Sequence, residues 1–188
     1  MLVTADHRLQ DAIWKASPHF DERPSWAQIE LVVVHCISLP ENQFGTGAVE
    51  KLFLGTLDTR EHDSFHDLEG VRVAPHLYID RGGCVYQFVG FDQRAWHAGE
   101  SEWCGRSGCN AFSIGIELEG SVSSVYEEAQ YQSLIEVLQA LLKRYAALGS
   151  DAVVGHQDIS PGRKFDPGPN FDWPRVVEAL YRAGEDPA

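Results

Sequence analysis

Apolar residues follow two different periods along this chain, and the change of period marks its elements. Leu31-Val32-Val33-Val34-His35 is an unbroken apolar run closed by a histidine, as expected of a strand buried on both faces. Val73 to Tyr78 and Cys84 to Val89 read as two further strands, joined by a hairpin turn at Asp80-Arg81-Gly82-Gly83. Ser113 to Glu119 alternates, which puts Glu117 and Glu119 on one face of a strand and Ile116 and Leu118 on the other. Ala152 to Val154 forms a short strand that leads into Gly155-His156. The helical period appears briefly from Ala48 to Leu57 and then at length, with Tyr131, Leu134, Ile135, Leu138, Leu141, Leu142, Tyr145 and Leu148 on one face. Glu127 and Glu128 suit the start of that helix, Lys143 and Arg144 its end, and Gly149 stops it. A last amphipathic helix is expected from about Trp173 to Ala183, followed by the polar tail GEDPA. Residues 1–30, with Pro18 and Pro24 and little periodicity, read as an arm laid over the surface. The polar segment 40–72 reads as a loop long enough to act as a lid. Strands and helices are interspersed, so the pattern predicts a single domain over 1–188, α/β or α+β, with one sheet covered by helices.

Composition removes several function classes. Hydrophobic content of 44% with 11% aromatics is that of a globular chain. The formal charge of −13, from 15 basic and 28 acidic residues, argues against a nucleic-acid partner and against adsorption to an anionic membrane. The N-terminal residues MLVTADHRLQDAIW lack a signal-peptide pattern, and no apolar run approaches the roughly 20 residues of a membrane helix. Cys36, Cys84, Cys104 and Cys109 form no C-x-x-C pair and read as free thiols in a reducing compartment, so cytoplasmic residence is expected.

The chemistry converges on GHQDISPGRKFDPGP, residues 155–169. Asp166 precedes Pro167 and is therefore biased toward extended backbone, with Lys164 on the same side two residues earlier. The plain alternative is a proline-rich loop with surface charges, in which Asp158 is only a turn residue. His35 has a plain alternative too, as a core histidine satisfied by a carbonyl. The His62, Asp63, His66 and Asp67 run reads as solvated loop rather than metal site, and the Trp96-His97 pair sits in a loop where local packing would account for it. Taken together, His35, His156 and Asp166 offer two imidazoles and a carboxylate, which leave a tetrahedral zinc one open position. Such a zinc brings the pKa of its water near 7. Glu117 is then placed to take a proton from that water and pass it to a leaving amine, and Lys164 to stabilise the developing oxyanion. No compact ligand motif such as H-E-x-x-H is present.

The motifs SPHFDERP (17–24), LVVVHCISLP (31–40), FGTG (44–47), RAWHAG (94–99), FSIGIELEG (112–120) and GHQDISPGRKFDPGPNFDW (155–173) resemble, in this order, the type-2 N-acetylmuramoyl-L-alanine amidase family. The resemblance implies a peptidoglycan-recognition-protein-like fold with a central mixed β-sheet flanked by helices. It implies zinc on His35, His156 and Asp166, with Glu117 and Lys164 catalytic. The implied reaction is hydrolysis of the amide between the lactyl group of 1,6-anhydro-N-acetylmuramic acid and L-alanine of the stem peptide, in cytoplasmic peptidoglycan recycling. The implied partner is the anhydro-muropeptide substrate, with no obligate protein partner; Arg72, Trp96, His97 and Arg106 are the expected substrate contacts, the arginines meeting its acidic groups. Two positions depart from the family pattern: Cys36 stands where Asn is usual, and Gln157 where Cys is usual. Strand alternation turns Cys36 away from a metal on His35. Two other functions fit parts of the pattern: a muropeptide-binding module that does not cut, and a cell-surface amidase acting on intact murein. The first would lack a full ligand set, and the second would need an export signal.

Overall fold

A computed structural model describes residues 1–185. Its centre is a six-stranded sheet made of β1 (Ile13–Trp14), β3 (Leu31–Ile37), β4 (Leu77–Ile79), β5 (Val85–Gln87), β9 (Ser113–Glu119) and β10 (Val153–Gly155), in the order β1-β5-β4-β9-β3-β10. β4, β9, β3 and β10 are mutually parallel, while β5 is antiparallel to β4 and parallel to β1, so the sheet is mixed. Two short ribbons lie outside it: β2 (Phe20–Glu22) with β6 (Gln93–Ala95), and β7 (Glu102–Trp103) with β8 (Arg106–Ser107). The helices are α1 (Ala48–Phe53), α2 (Glu128–Arg144), α3 (His156–Ile159) and α4 (Trp173–Glu185).

Strand alternation assigns the two faces of the sheet. Val32 and Val34 of β3 and Ile114, Ile116 and Leu118 of β9 join Leu134, Val137, Leu138 and Leu141 of α2 and Val176 and Leu180 of α4 in the main core. The opposite face carries Leu31 and Val33, packed on Ala98, Cys109 and Phe112, and Tyr78, packed with Val49, Leu52 and Phe53 of α1. Leu31 to Val34 are fully buried, at roughly 1.5–3 kcal/mol per large apolar side chain, which makes β3 the rigid centre of the sheet.

Several boundaries differ from the expectation. β4 begins at Leu77 rather than Val73, because Pro75 has no N–H to contribute to a ladder. α1 ends at Phe53 rather than Leu57; Gly55 turns out of the helix at φ 68°, and His19 lies where its Cβ would be, 3.1 Å from Nε2. α2 starts on a capping box of Glu127 and Gln130, but it stops at Arg144, before Gly149. There the Tyr145 hydroxyl lies 2.9 Å from His7 Nδ1 and the chain turns, which still buries Leu148. Residues 1–30 do more than lie over the surface. They add edge strand β1 to the sheet and β2 to a ribbon, and they bury Val3, Leu9 and Ile29 in the main core. Segment 40–72 is anchored by α1 and by the buried Phe65 within a 3-10 turn at Asp63–Leu68. Of the expected C-terminal tail, residues 186–188 lie outside the described residues; the helix itself runs through Glu185.

Candidate active site

Parallel strands present their carboxyl ends on one edge, where open α/β sheets usually hold ligands. Here β3 and β9 are in register with His35 opposite Glu117, and β10 is in register with Gly155 opposite Val34. His156 follows β10 directly, so three adjacent strands deliver two histidines and a glutamate to one place. Buried Gln130 of α2 clamps this edge, donating from Nε2 to Ile79 O (3.3 Å) and Glu119 O (3.0 Å). Asp166 comes from the segment after α3. Its carbonyl accepts from Gln157 N–H at 3.1 Å, and Tyr126 O–H donates to Pro167 O at 2.7 Å. Gly168, at φ 91°, allows close approach: a Cβ there would fall 2.2 Å from Val122 O. Asp158 has the turn role expected of it, its carboxylate accepting from Gly155 N–H at 2.7 Å.

His35, His156 and Asp166 are all buried, and their ligand atoms lie within 4.8 Å of one another. His35 Nδ1 is 2.9 Å from His156 Nδ1 and 3.2 Å from Asp166 Oδ2, which is 3.1 Å from His156 Nδ1. Ligands about 2.0–2.2 Å from a tetrahedral zinc lie roughly 3.3 Å apart, close to this triangle. The two histidines and the carboxylate could thus hold a metal, and the donor set suits zinc. Burial lowers the His35 pKa to about 4 despite its hydrogen bond to Asp166, so at pH 7 its ring is neutral and able to ligate. Burial acts to raise the Asp166 pKa, but hydrogen bonds from His156 and His35 outweigh it and hold the carboxyl ionised, below the usual carboxylate range.

Glu117 is the neighbour of this triangle. Its Oε2 is cut off from solvent and has no hydrogen-bond partner, an arrangement that is rare and costly for a carboxylate. Burial pushes its pKa well above the ordinary glutamate value; the Asp166 charge pushes the same way and Lys164 opposes both. Lys164 is half-buried and close enough for its charge to act on both Glu117 and His35. A cavity of about 540 Å³ opens beside this edge, lined by Tyr78, which pairs with Glu117, and by Glu119, two residues further along the same strand face.

The remaining expected site residues divide. Neither Trp96 nor His97 is exposed. His97 lies behind His35, with Nδ1 2.9 Å from His35 Nε2 and Nε2 3.1 Å from Ser113 Oγ. Arg72 is exposed, its guanidinium 5.7 Å from the centroid of the Trp96 ring, and Trp96 in turn stacks on His19. Arg106 does not join the site. It pairs with Glu30 and covers the Phe112 ring at 4.1 Å, and both partners immediately precede the starts of β3 and β9. From Glu30 to His35 is roughly 16 Å of strand. Cys36 packs on the main-core side, away from His35, and burial pushes its thiol up to about 12, so it is no thiolate ligand. His62 and His66 are exposed on the 3-10 turn, in keeping with a solvated loop.

Sequence reasoning missed the layer beneath the ligands. Arg23 turns inward and donates to Phe91 O (3.0 Å), Ala111 O (2.9 Å) and Ser113 O (2.7 Å). Buried His76 receives Gly115 N–H on Nδ1 at 3.0 Å, so its Nε2–H donates to Gln93 O, also at 3.0 Å. The available signal was the face shared with Glu117, whose preceding members Ser113 and Gly115 are small. A small-residue stripe inside a buried strand means that something packs close, and here it is the His97 ring.

Residues 25–169 match the family model Amidase_2, described as N-acetylmuramoyl-L-alanine amidase. The 1,6-anhydro-N-acetylmuramyl-L-alanine amidase AmpD of Haemophilus influenzae is 49% identical over 164 residues, covering 87% of this chain and 89% of its own length. A crystal structure of an AmpD selenomethionine derivative superposes with a TM-score of 0.92 at 46% identity, covering 96% of this chain and 99% of that one. The Escherichia coli amidase AmiD, in complex with anhydro-N-acetylmuramic acid-L-Ala-D-gamma-Glu-L-Lys, gives a TM-score of 0.60 at 27% identity, covering 86% of this chain and 65% of that one.

Proposed function

Because this chain belongs to the N-acetylmuramoyl-L-alanine amidase family, we propose that it hydrolyses the amide between the lactyl group of 1,6-anhydro-N-acetylmuramic acid and L-alanine of the stem peptide. The observation that carries the reading is the His35, His156 and Asp166 triangle with the partnerless Oε2 of Glu117 beside it. A recognition module that does not cut has no need to bury a carboxylate at such expense, which favours catalysis over binding alone.

Zinc is the metal this donor set suits, and when bound it supplies Lewis-acid chemistry that acidifies water and polarises a carbonyl. Asp166, His35 and His156 are the residues that would hold it. Glu117 accepts a proton from the attacking water on its carboxylate and returns it to the departing L-alanine nitrogen, which leaves as an amine. Burial raises the Glu117 pKa, which makes its carboxylate a stronger base toward the water than an ordinary glutamate. Lys164 offers its ammonium to the oxyanion as the carbonyl carbon becomes tetrahedral. Exposed Arg72, with the half-buried Trp96 ring beside it, offers a cation to an acidic, amphipathic fragment, in keeping with a chain of charge −13 that receives an anionic ligand. The cavity beside Glu119 supplies further room for the substrate.

We place this reaction in the recycling of released cell-wall fragments, in the cytoplasm. Among the described residues no helix is long and apolar enough to cross a membrane. The test of the metal reading is elemental analysis with reconstitution: one zinc per chain is expected, with turnover lost to a chelator and restored by zinc. Full turnover in the metal-free protein rejects it.

A further inference from the structure

We infer that the dipeptide His97-Ala98 is the brace that orients both histidine ligands, with His97 a positioning residue that fixes the tautomer of His35. The inference rests on the reading of His35 and His156 as metal ligands. With a metal on Nδ1 of each ring, in place of the proton that Nδ1 otherwise donates toward Asp166, each ring carries its proton on Nε2, and each Nε2 meets this one dipeptide. His156 Nε2–H donates to Ala98 O at 3.1 Å, and His35 Nε2–H donates to His97 Nδ1 at 2.9 Å. An acceptor at His97 Nδ1 puts its proton on Nε2, where it donates to Ser113 Oγ at 3.1 Å. Every proton in the chain then points away from the triangle, and both Nδ1 lone pairs are left for the metal.

The brace is held from three sides. Asn110 Oδ1 accepts from His97 N–H at 3.1 Å and from Ala98 N–H at 2.8 Å. Arg163 Nη2 donates to Ala98 O at 3.0 Å, so that carbonyl is positioned by a cation as well as by the histidine. The His97 ring packs directly against Gly115, where a Cβ would be 2.3 Å from its Cγ; only glycine leaves room for it. Mere packing would explain the absence of a side chain at Gly115, but not an unbroken hydrogen-bond chain of one polarity from Ser113 to the ligand.

The test compares zinc affinity, by competition with a chromogenic chelator, and the visible spectrum of the cobalt-substituted protein across wild type, His97→Phe and His97→Asn. His97→Phe fills the space without an acceptor and is expected to weaken zinc binding by about 10–100-fold and to shift the cobalt bands. His97→Asn keeps an acceptor near Nδ1 and is expected to stay within about threefold of wild type, a split that a purely structural residue does not produce. Histidine nitrogen NMR of the zinc-loaded wild type needs no variant to fold: His97 is expected to be bare at Nδ1 and protonated at Nε2. Protonation of His97 at Nδ1, or wild-type affinity in His97→Phe, overturns the inference alone. Wild-type protein that binds no zinc overturns the metal reading together with it.

Discussion

Glu117→Gln separates the chemistry of Glu117 from its burden on the fold. The substitution keeps shape and volume but removes both the proton acceptor and the charge. Loss of a general base lowers turnover by about 10²–10⁴-fold, or roughly 2.7–5.4 kcal/mol of barrier. Stability moves the other way. An unfolded glutamate releases its proton near the ordinary value of 4.5, whereas folded Glu117 holds its proton to higher pH. Between those values the native state binds more protons, so stability falls as pH rises through the folded pKa. At pH 7.5 the metal-free wild type therefore bears the cost of a titrating carboxyl whose Oε2 has no partner, and Gln replaces it with a neutral amide. The difference between the two is of order 1–2 kcal/mol, which at about 2–4 °C per kcal/mol for a domain of this size raises Tm by roughly 2–8 °C. The assay pairs turnover of an anhydro-muropeptide with thermal melts of metal-free protein at pH 4 and pH 7.5. The gain is expected at pH 7.5 and to vanish at pH 4, where the wild-type carboxyl is protonated. A variant that keeps wild-type turnover, or one that melts lower at pH 7.5, refutes the reasoning.

Other outcomes follow from the same geometry. Gly115→Ala drives a Cβ into the His97 ring, and the overpacking is expected to cost about 1–3 kcal/mol, read as a lower denaturant midpoint together with weaker zinc binding. Arg72→Ala is expected to raise KM by about 10-fold or more through loss of a charge-assisted contact, whereas Arg106→Ala, at the far end of β3, should leave KM within about twofold; the reverse ranking would move the substrate contact. In hydrogen exchange, the amides of α1 should be protected and those of 55–64 and 69–72 fast; uniform slow exchange across 40–72 excludes a lid built from that segment.

The parts of the site legible in the sequence were those set by strand period and by single special residues. The apolar run ending at His35, the alternation that faces Glu117 away from Ile116, and the proline after Asp166 each carry a local geometric consequence, and the register of β3 with β9 brings the first two together. What was not legible depends on contacts far apart in the chain. Arg23 reaches carbonyls at residues 91, 111 and 113, and no local pattern signals a buried guanidinium on an arm that looks peripheral. Arg106 and Arg72 look alike as arginines in polar loops, yet an ion pair with Glu30 consumes one and leaves the other exposed. His97, a substrate contact by resemblance, lies behind His35, and the glycine that lets its ring sink onto β9 comes 18 residues later. Helix ends failed for the same reason, since Tyr145 leaves α2 for a contact with His7.

The account stands most directly on one product analysis. The zinc-loaded chain is incubated with 1,6-anhydro-muropeptides, with and without chelator, and the products are separated and weighed by mass spectrometry. Free stem peptide beginning at L-alanine and free 1,6-anhydro-N-acetylmuramic acid, formed only without chelator, are the predicted result. Intact muropeptide in both arms, cleavage at another bond, or equal cleavage in the presence of chelator would contradict it.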